Sequence, residues 1–241
     1  MCQRKPGARC SSDAKKTILS VAEEVREAED AFRNAKFAIA RSDPDQELDM
    51  QLGDARRELF KALAKMNDAN LFYNATPEGI KSLEKLLAVS GDSITLKTYE
   101  LDSIESGQPG LTKVRIELPT EKLLKAKLSL AKDHRAAQSY ALEKLTEAEL
   151  VSPEKAVLLA EVLLKESQDN LTNKKRNIVF WRDEFRKSAA DFYHSHSDED
   201  KKKARVAGIN EATEKADQIY TQSRFDDLQD YLKSARKHLA A

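Results

Sequence analysis

Two cysteines near the start of the chain could carry chemistry. Cys2 and Cys10 flank the pair Pro6-Gly7, which suits the central positions of a type II turn and would bring the two thiols toward each other. Two thiolates are half of a tetrahedral zinc site, so a complete zinc site would need ligands from elsewhere in the chain. Four interpretations are open for this segment: a structural clip that docks on the protein, a disulfide, a metal site and a disordered basic arm.

The run HSHSDED at residues 194–200 contains several side chains of the types that bind divalent cations. These side chains are His194, His196, Asp198, Glu199 and Asp200. The two histidines are two positions apart and would not share one face of a helix. Ser197 is a good N-cap, and the acidic residues after it suit the positive end of a helix dipole. We therefore expect a solvated turn between two helices and no bound metal.

The stretch GDSIT at residues 91–95 resembles the nucleophile block of GDS-type lipases and esterases. That resemblance implies a hydrolase with Ser93 as the nucleophile and with Asp191 and His194 in the family's Asp-x-x-His block. The family also needs a Gly-x-Asn-Asp block for its oxyanion hole and a parallel sheet beneath the serine, and the sequence contains neither pattern. We interpret Ser93 as part of a turn after a helix spanning residues 77–89, and we predict no catalytic residues.

Basic and aromatic residues alternate between Lys174 and Lys187, a mixture found in helices that bind nucleic acid. The candidate nucleic-acid contacts are Lys175, Arg182 and Arg186 on this helix and Arg4, Lys5 and Arg9 on the N-terminal arm. Trp181 and Phe185 fall on the apolar stripe of the same helix, which favours their burial in the core. If that stripe were exposed instead, these two aromatic residues would form a surface for a protein partner.

The elements that position these residues are predicted to be long helices. Apolar residues recur at alternating three- and four-residue spacings from Ile18 to Ile39 and from Leu48 to Tyr73, which predicts an antiparallel helical hairpin. The same spacing from Leu130 to Ala148 and from Val157 to Phe192 predicts a second hairpin. Residues 90–119 instead alternate apolar and polar side chains, which favours a small β-hairpin.

Helix starts recur in one chemical style, a Ser or Thr followed by Pro or acidic residues. They stand at Ser42-Asp43-Pro44, Thr76-Pro77-Glu78, Ser152-Pro153-Glu154 and Ser197-Asp198-Glu199. In each, the side-chain oxygen can accept a bond from a backbone N–H that has no partner inside the helix.

These boundaries predict an all-α fold in four segments. Residues 1–11 form a cysteine-containing basic arm, residues 12–89 a helical hairpin plus a short helix, and residues 90–119 a connector that is irregular or a β-hairpin. Residues 120–241 hold the second helical hairpin and two closing helices. The whole is expected to be an elongated bundle of antiparallel, coiled-coil-like hairpins.

Composition limits the classes of function. The 41 basic and 41 acidic side chains give a formal net charge of zero, so no whole-molecule field favours nucleic acid or an anionic membrane. No apolar run approaches the roughly 18 residues that span a bilayer, and the first residues are too polar for a signal peptide. We therefore expect a cytoplasmic protein without a membrane partner, in which a Cys2–Cys10 disulfide would usually stay reduced.

The opening segment resembles a set of actinobacterial and actinophage proteins that begin Cys-x-Arg-x-Pro-Gly-x-Arg-Cys-Ser and carry a Thr-Pro-x-Gly-like element further on. The matching residues are Cys2, Arg4, Pro6, Gly7, Arg9, Cys10 and Ser11, followed by Thr76, Pro77 and Gly79. These proteins have no established activity. The resemblance therefore implies a phage or mobile-element setting and transfers no catalytic residue.

Long apolar stripes and zero net charge together favour a non-catalytic protein–protein interaction or scaffold module without a cofactor. We expect a protein partner, and homo-oligomers through the helical seams are compatible with the same stripes. The alternative is a helical nucleic-acid-binding protein that uses the basic arm and the basic helix face. A hydrolase is the third hypothesis.

Overall fold

The computed structural model describes residues 11–41, 46–101 and 112–239, and it confirms an all-α fold with one small β-hairpin. Its helices are α1 (Ser11–Arg41), α2 (Gln46–Asn74), α3 (Pro77–Val89), α4 (Thr120–Val151), α5 (Pro153–Ser195) and α6 (Asp198–Leu239). The strands β1 (Ile94–Leu101) and β2 (Thr112–Pro119) pair antiparallel. Such long helices are compatible with a chain that has only seven glycines and six prolines to interrupt them.

Three of the four predicted helix starts are confirmed by their capping hydrogen bonds. The hydroxyl groups of Thr76, Ser152 and Ser197 each accept a bond from the backbone N–H three residues later, at 3.1, 3.2 and 3.1 Å. These bonds satisfy N–H groups that the first turn of a helix leaves without a partner. The fourth predicted start, at residues 42–44, lies outside the described residues.

The described chain divides into two compact units, residues 11–79 and residues 80–239. In the first unit α1 and α2 pack antiparallel, and Lys65 Nζ lies 2.7 Å from a carboxylate oxygen of Glu24. The division falls earlier than the predicted boundary at residue 89. Most of α3 belongs to the second unit, where its Glu84 forms a 2.8 Å ion pair with Lys132 of α4.

The second unit packs the β-hairpin and α4 against the pair α5 and α6. One core cluster consists of Leu101, Val114, Ile116 and Leu118 from the strands, with Phe185 and Ala189 from α5 and Ala204 and Ala207 from α6. A second cluster consists of Leu145, Ala160, Leu228 and Leu232. Gly208 lets α6 lie close to the first cluster, since a Cβ there would approach side-chain atoms of Leu118 and Phe185 to 3.1 and 3.3 Å.

The end of the chain differs from the sequence prediction, because one helix replaces the two predicted closing helices. Helix α6 runs without a break for 42 residues. The predicted break fell between Ile219 and Phe225, where polar residues interrupt the apolar stripe. The structure buries Tyr220, Thr221 and Ser223 of that segment, with Thr221 only 1% exposed. Tyr220 stacks on His134 of α4, with ring centroids 4.4 Å apart. The polar residues of this segment indicated a loop in the sequence, but in the structure Thr221 and Ser223 are buried within a continuous helix.

Candidate functional site

Helix α5 carries the two residues predicted as a partner surface, and the structure separates them. Phe185 is 3% exposed and packs in the cluster under the β-hairpin, which agrees with the favoured prediction of burial and leaves it no place on a partner surface. Trp181 is half-buried against the same cluster. Its indole ring meets the ring of Phe180 edge-on, with centroids 5.0 Å apart, and Phe180 is 55% exposed. Trp181 therefore connects the core to an exposed apolar surface.

A groove of about 390 Å³ opens between α5 and α6 beside Trp181. Its lining residues are Trp181, Glu184 and Ser188 on α5 and Glu199, Lys202, Lys203, Val206 and Ala207 on α6. None of them comes from β1, β2 or α4, so the groove belongs to the helix pair alone. Val206 is 47% exposed at its edge. We call this feature, together with Phe180, the α5–α6 groove.

Sequence reasoning missed a charged cluster that joins β1 to both helices. Glu211 of α6 is 3% exposed and accepts hydrogen bonds from Lys97 of β1 and, at 2.6 Å, from Lys215. The Arg182 Nε atom lies 3.7 Å from the same carboxylate. Lys97 also lies above the ring of Phe185, with Nζ 4.1 Å from the centroid. The buried carboxylate of Glu211 therefore interacts with one cation from each of β1, α5 and α6.

The surroundings of this cluster shift the pKa of both central groups. Burial raises the pKa of Glu211, but the hydrogen bonds from Lys215 and Lys97 outweigh burial and hold that pKa below its ordinary value. Burial is the main cause that lowers the pKa of Lys97, and the neighbouring charges of Lys215 and Arg182 act in the same direction. Lys97 lies on the same face of β1 as the buried Leu101, whereas the apolar residues Ile94 and Leu96 are exposed, so the apolar–polar alternation of this strand did not indicate the position of Lys97.

The predicted nucleic-acid contacts of α5 differ in their exposure and in the charges beside them. Lys175 and Arg186 are exposed, whereas Arg182 lies beside Glu211 and is partly neutralised by it. The exposed acidic residue Asp183 stands between the cations on the same helix. The other predicted contacts, Arg4, Lys5 and Arg9, lie outside the described residues, as do Cys2 and Cys10.

A wider groove of about 790 Å³ lies between β1 and α5. Its lining residues are Tyr99 and Glu100 on β1 and Asp183, Arg186, Lys187, Ala190, Asp191 and His194 on α5. Ser93 is not among them. It is exposed in the turn between α3 and β1, where its N–H donates to Ser90 O at 3.0 Å and Gly91 has φ +45°. The predicted helix over residues 77–89 and the turn after it are confirmed.

The HSHSDED segment forms the turn between α5 and α6. His196 ends α5 in a left-handed backbone conformation with φ 53°, and Ser197 caps α6. Hydrogen bonds from the Ser195 and Ser197 hydroxyls, at 2.7 and 2.9 Å, lower the pKa of Asp200. Within the described ranges, no three histidine, cysteine, aspartate or glutamate side chains are grouped to hold a metal ion.

We found no match to this chain among protein-family models, curated proteins or solved structures. Over the part of the chain that the structure describes, every helix is too short or too polar to cross a membrane.

Proposed function

We propose that this protein is a non-catalytic interaction module that binds a protein partner through the α5–α6 groove. The observation that carries the proposal is the grouping of three large apolar side chains beside an open groove, with Phe180 and Val206 about half exposed and Trp181 between them and the core. Exposed apolar residues scattered singly need no explanation, but an apolar group around a groove is typical of a binding surface.

The shape of the groove favours a helical partner. It runs between two packed antiparallel helices, and a further helix fits such a groove by inserting its side-chain ridge. Glu184 on the α5 edge and Lys202 on the α6 edge carry opposite charges, which would set the direction of the incoming helix. Tryptophan is a preferred residue for the centre of such interfaces because its ring offers a large apolar area and one hydrogen-bond donor.

The test compares two variants of the groove with a matched variant outside it. Phe180→Ser and Val206→Ser should abolish capture of the partner by the tagged full-length chain, and addition of the identified partner should shift Trp181 emission to shorter wavelength. Val179→Ser is the control, since Val179 is 52% exposed on the same helix and does not line the groove, whereas the ring of Phe180 contacts the groove residue Trp181. Loss of capture with the control, or retention with both groove variants, would reject the proposal.

Nucleic-acid binding is the alternative function, with Lys175 and Arg186 as its exposed candidates on α5. An electrophoretic shift that weakens steeply with salt would favour it, because phosphate contacts release counterions. The cytoplasmic location and the mobile-element setting are parts of the same proposal, and they rest on composition and on the resemblance of the opening segment.

A further inference from the structure

We draw no further inference here: the strongest candidate, the groove of about 790 Å³ between β1 and α5, is lined by the cations Arg186 and Lys187 and equally by the carboxylates Asp183 and Asp191, so its charges select no ligand and nothing in the described part of the structure shows what covers it.

Discussion

Lys97 extends from the core face of β1 to the buried carboxylate of Glu211 on α6, and its ammonium group lies over the ring of Phe185. A charged residue that faces inward from a two-stranded sheet is costly to bury alone, so Glu211 and the aromatic ring compensate it. Such a residue also discourages edge-to-edge pairing of the strand with another sheet, because no foreign strand supplies that carboxylate. The Lys97–Glu211 pair thus defines where the hairpin sits on the helices.

Removal of the acid from this pair should destabilise the second unit. Glu211→Gln leaves Lys97, whose side chain is 24% exposed, without its charged partner, and we expect a loss of about 3 kcal/mol in the free energy of unfolding. Urea unfolding followed by circular dichroism measures this loss. Replacing both partners with methionine should recover most of it, since two apolar side chains need no partner. Equal stability of the single and the double variant would contradict the explanation.

The same carboxylate should make stability depend on acid pH. The pKa of Glu211 in the folded protein lies below its ordinary value of 4.5, so its contribution is complete above pH 4.5 and is lost as the pH falls through the folded-state value. The difference in unfolding free energy between the unmodified protein and Glu211→Gln should therefore shrink as the pH is lowered from neutrality to about 3. Urea titrations at several pH values measure the difference, and a constant value over this range would show that Glu211 is not the group responsible.

The sequence predicted the elements well because their signals are local. Heptad spacing, the Ser-Pro and Thr-Pro helix starts and the alternation in β2 all depend on neighbours within a few residues, and the helices and strands follow them. The single helix α6 was missed because Thr221 and Ser223 are buried, and a sequence does not show that a partner helix covers a polar residue.

The candidate site was less predictable because it depends on contacts between distant segments. Lys97 and Glu211 are 114 positions apart, and nothing local in either segment indicates the pair. Phe185 and Trp181 share one stripe of α5, yet the hairpin covers the first and leaves the second at the edge of the groove. Which residue of a stripe is exposed depends on where the neighbouring elements end.

Two phenylalanines of α5 should respond very differently to the same substitution. Phe185→Ala removes a ring that is 3% exposed and should cost about 4 kcal/mol. Phe180→Ala removes a ring that is 55% exposed and should change stability by no more than about 0.5 kcal/mol. Because the Phe180 ring touches Trp181, the only tryptophan, Phe180→Ala should still alter the emission of the native protein. Comparable losses of stability from both changes would show that Phe180 is covered in solution.

The last prediction compares two glycines of the first unit. Gly79 lies in the first turn of α3, where a Cβ would come within 2.0 Å of the carbonyl oxygen of Tyr73. That oxygen is part of the backbone and already accepts bonds from the N–H of Thr76, at 2.9 Å, and from its hydroxyl, at 2.7 Å. Gly79→Ala must therefore shift the end of α2 relative to the start of α3, and we expect a loss of about 2 kcal/mol or more.

Gly53 is the matched control within the same unit. It lies inside α2 with no atom within 4 Å of the position that a Cβ would take. Gly53→Ala should therefore raise the free energy of unfolding by about 0.5–1 kcal/mol, because alanine loses less backbone entropy in a helix than glycine does. Thermal unfolding followed by circular dichroism at 222 nm, a wavelength that reports helix content, measures both variants. Opposite signs for the two substitutions support a tight turn at Thr76–Gly79, whereas a stabilising Gly79→Ala would mean that α2 and α3 are joined in another geometry.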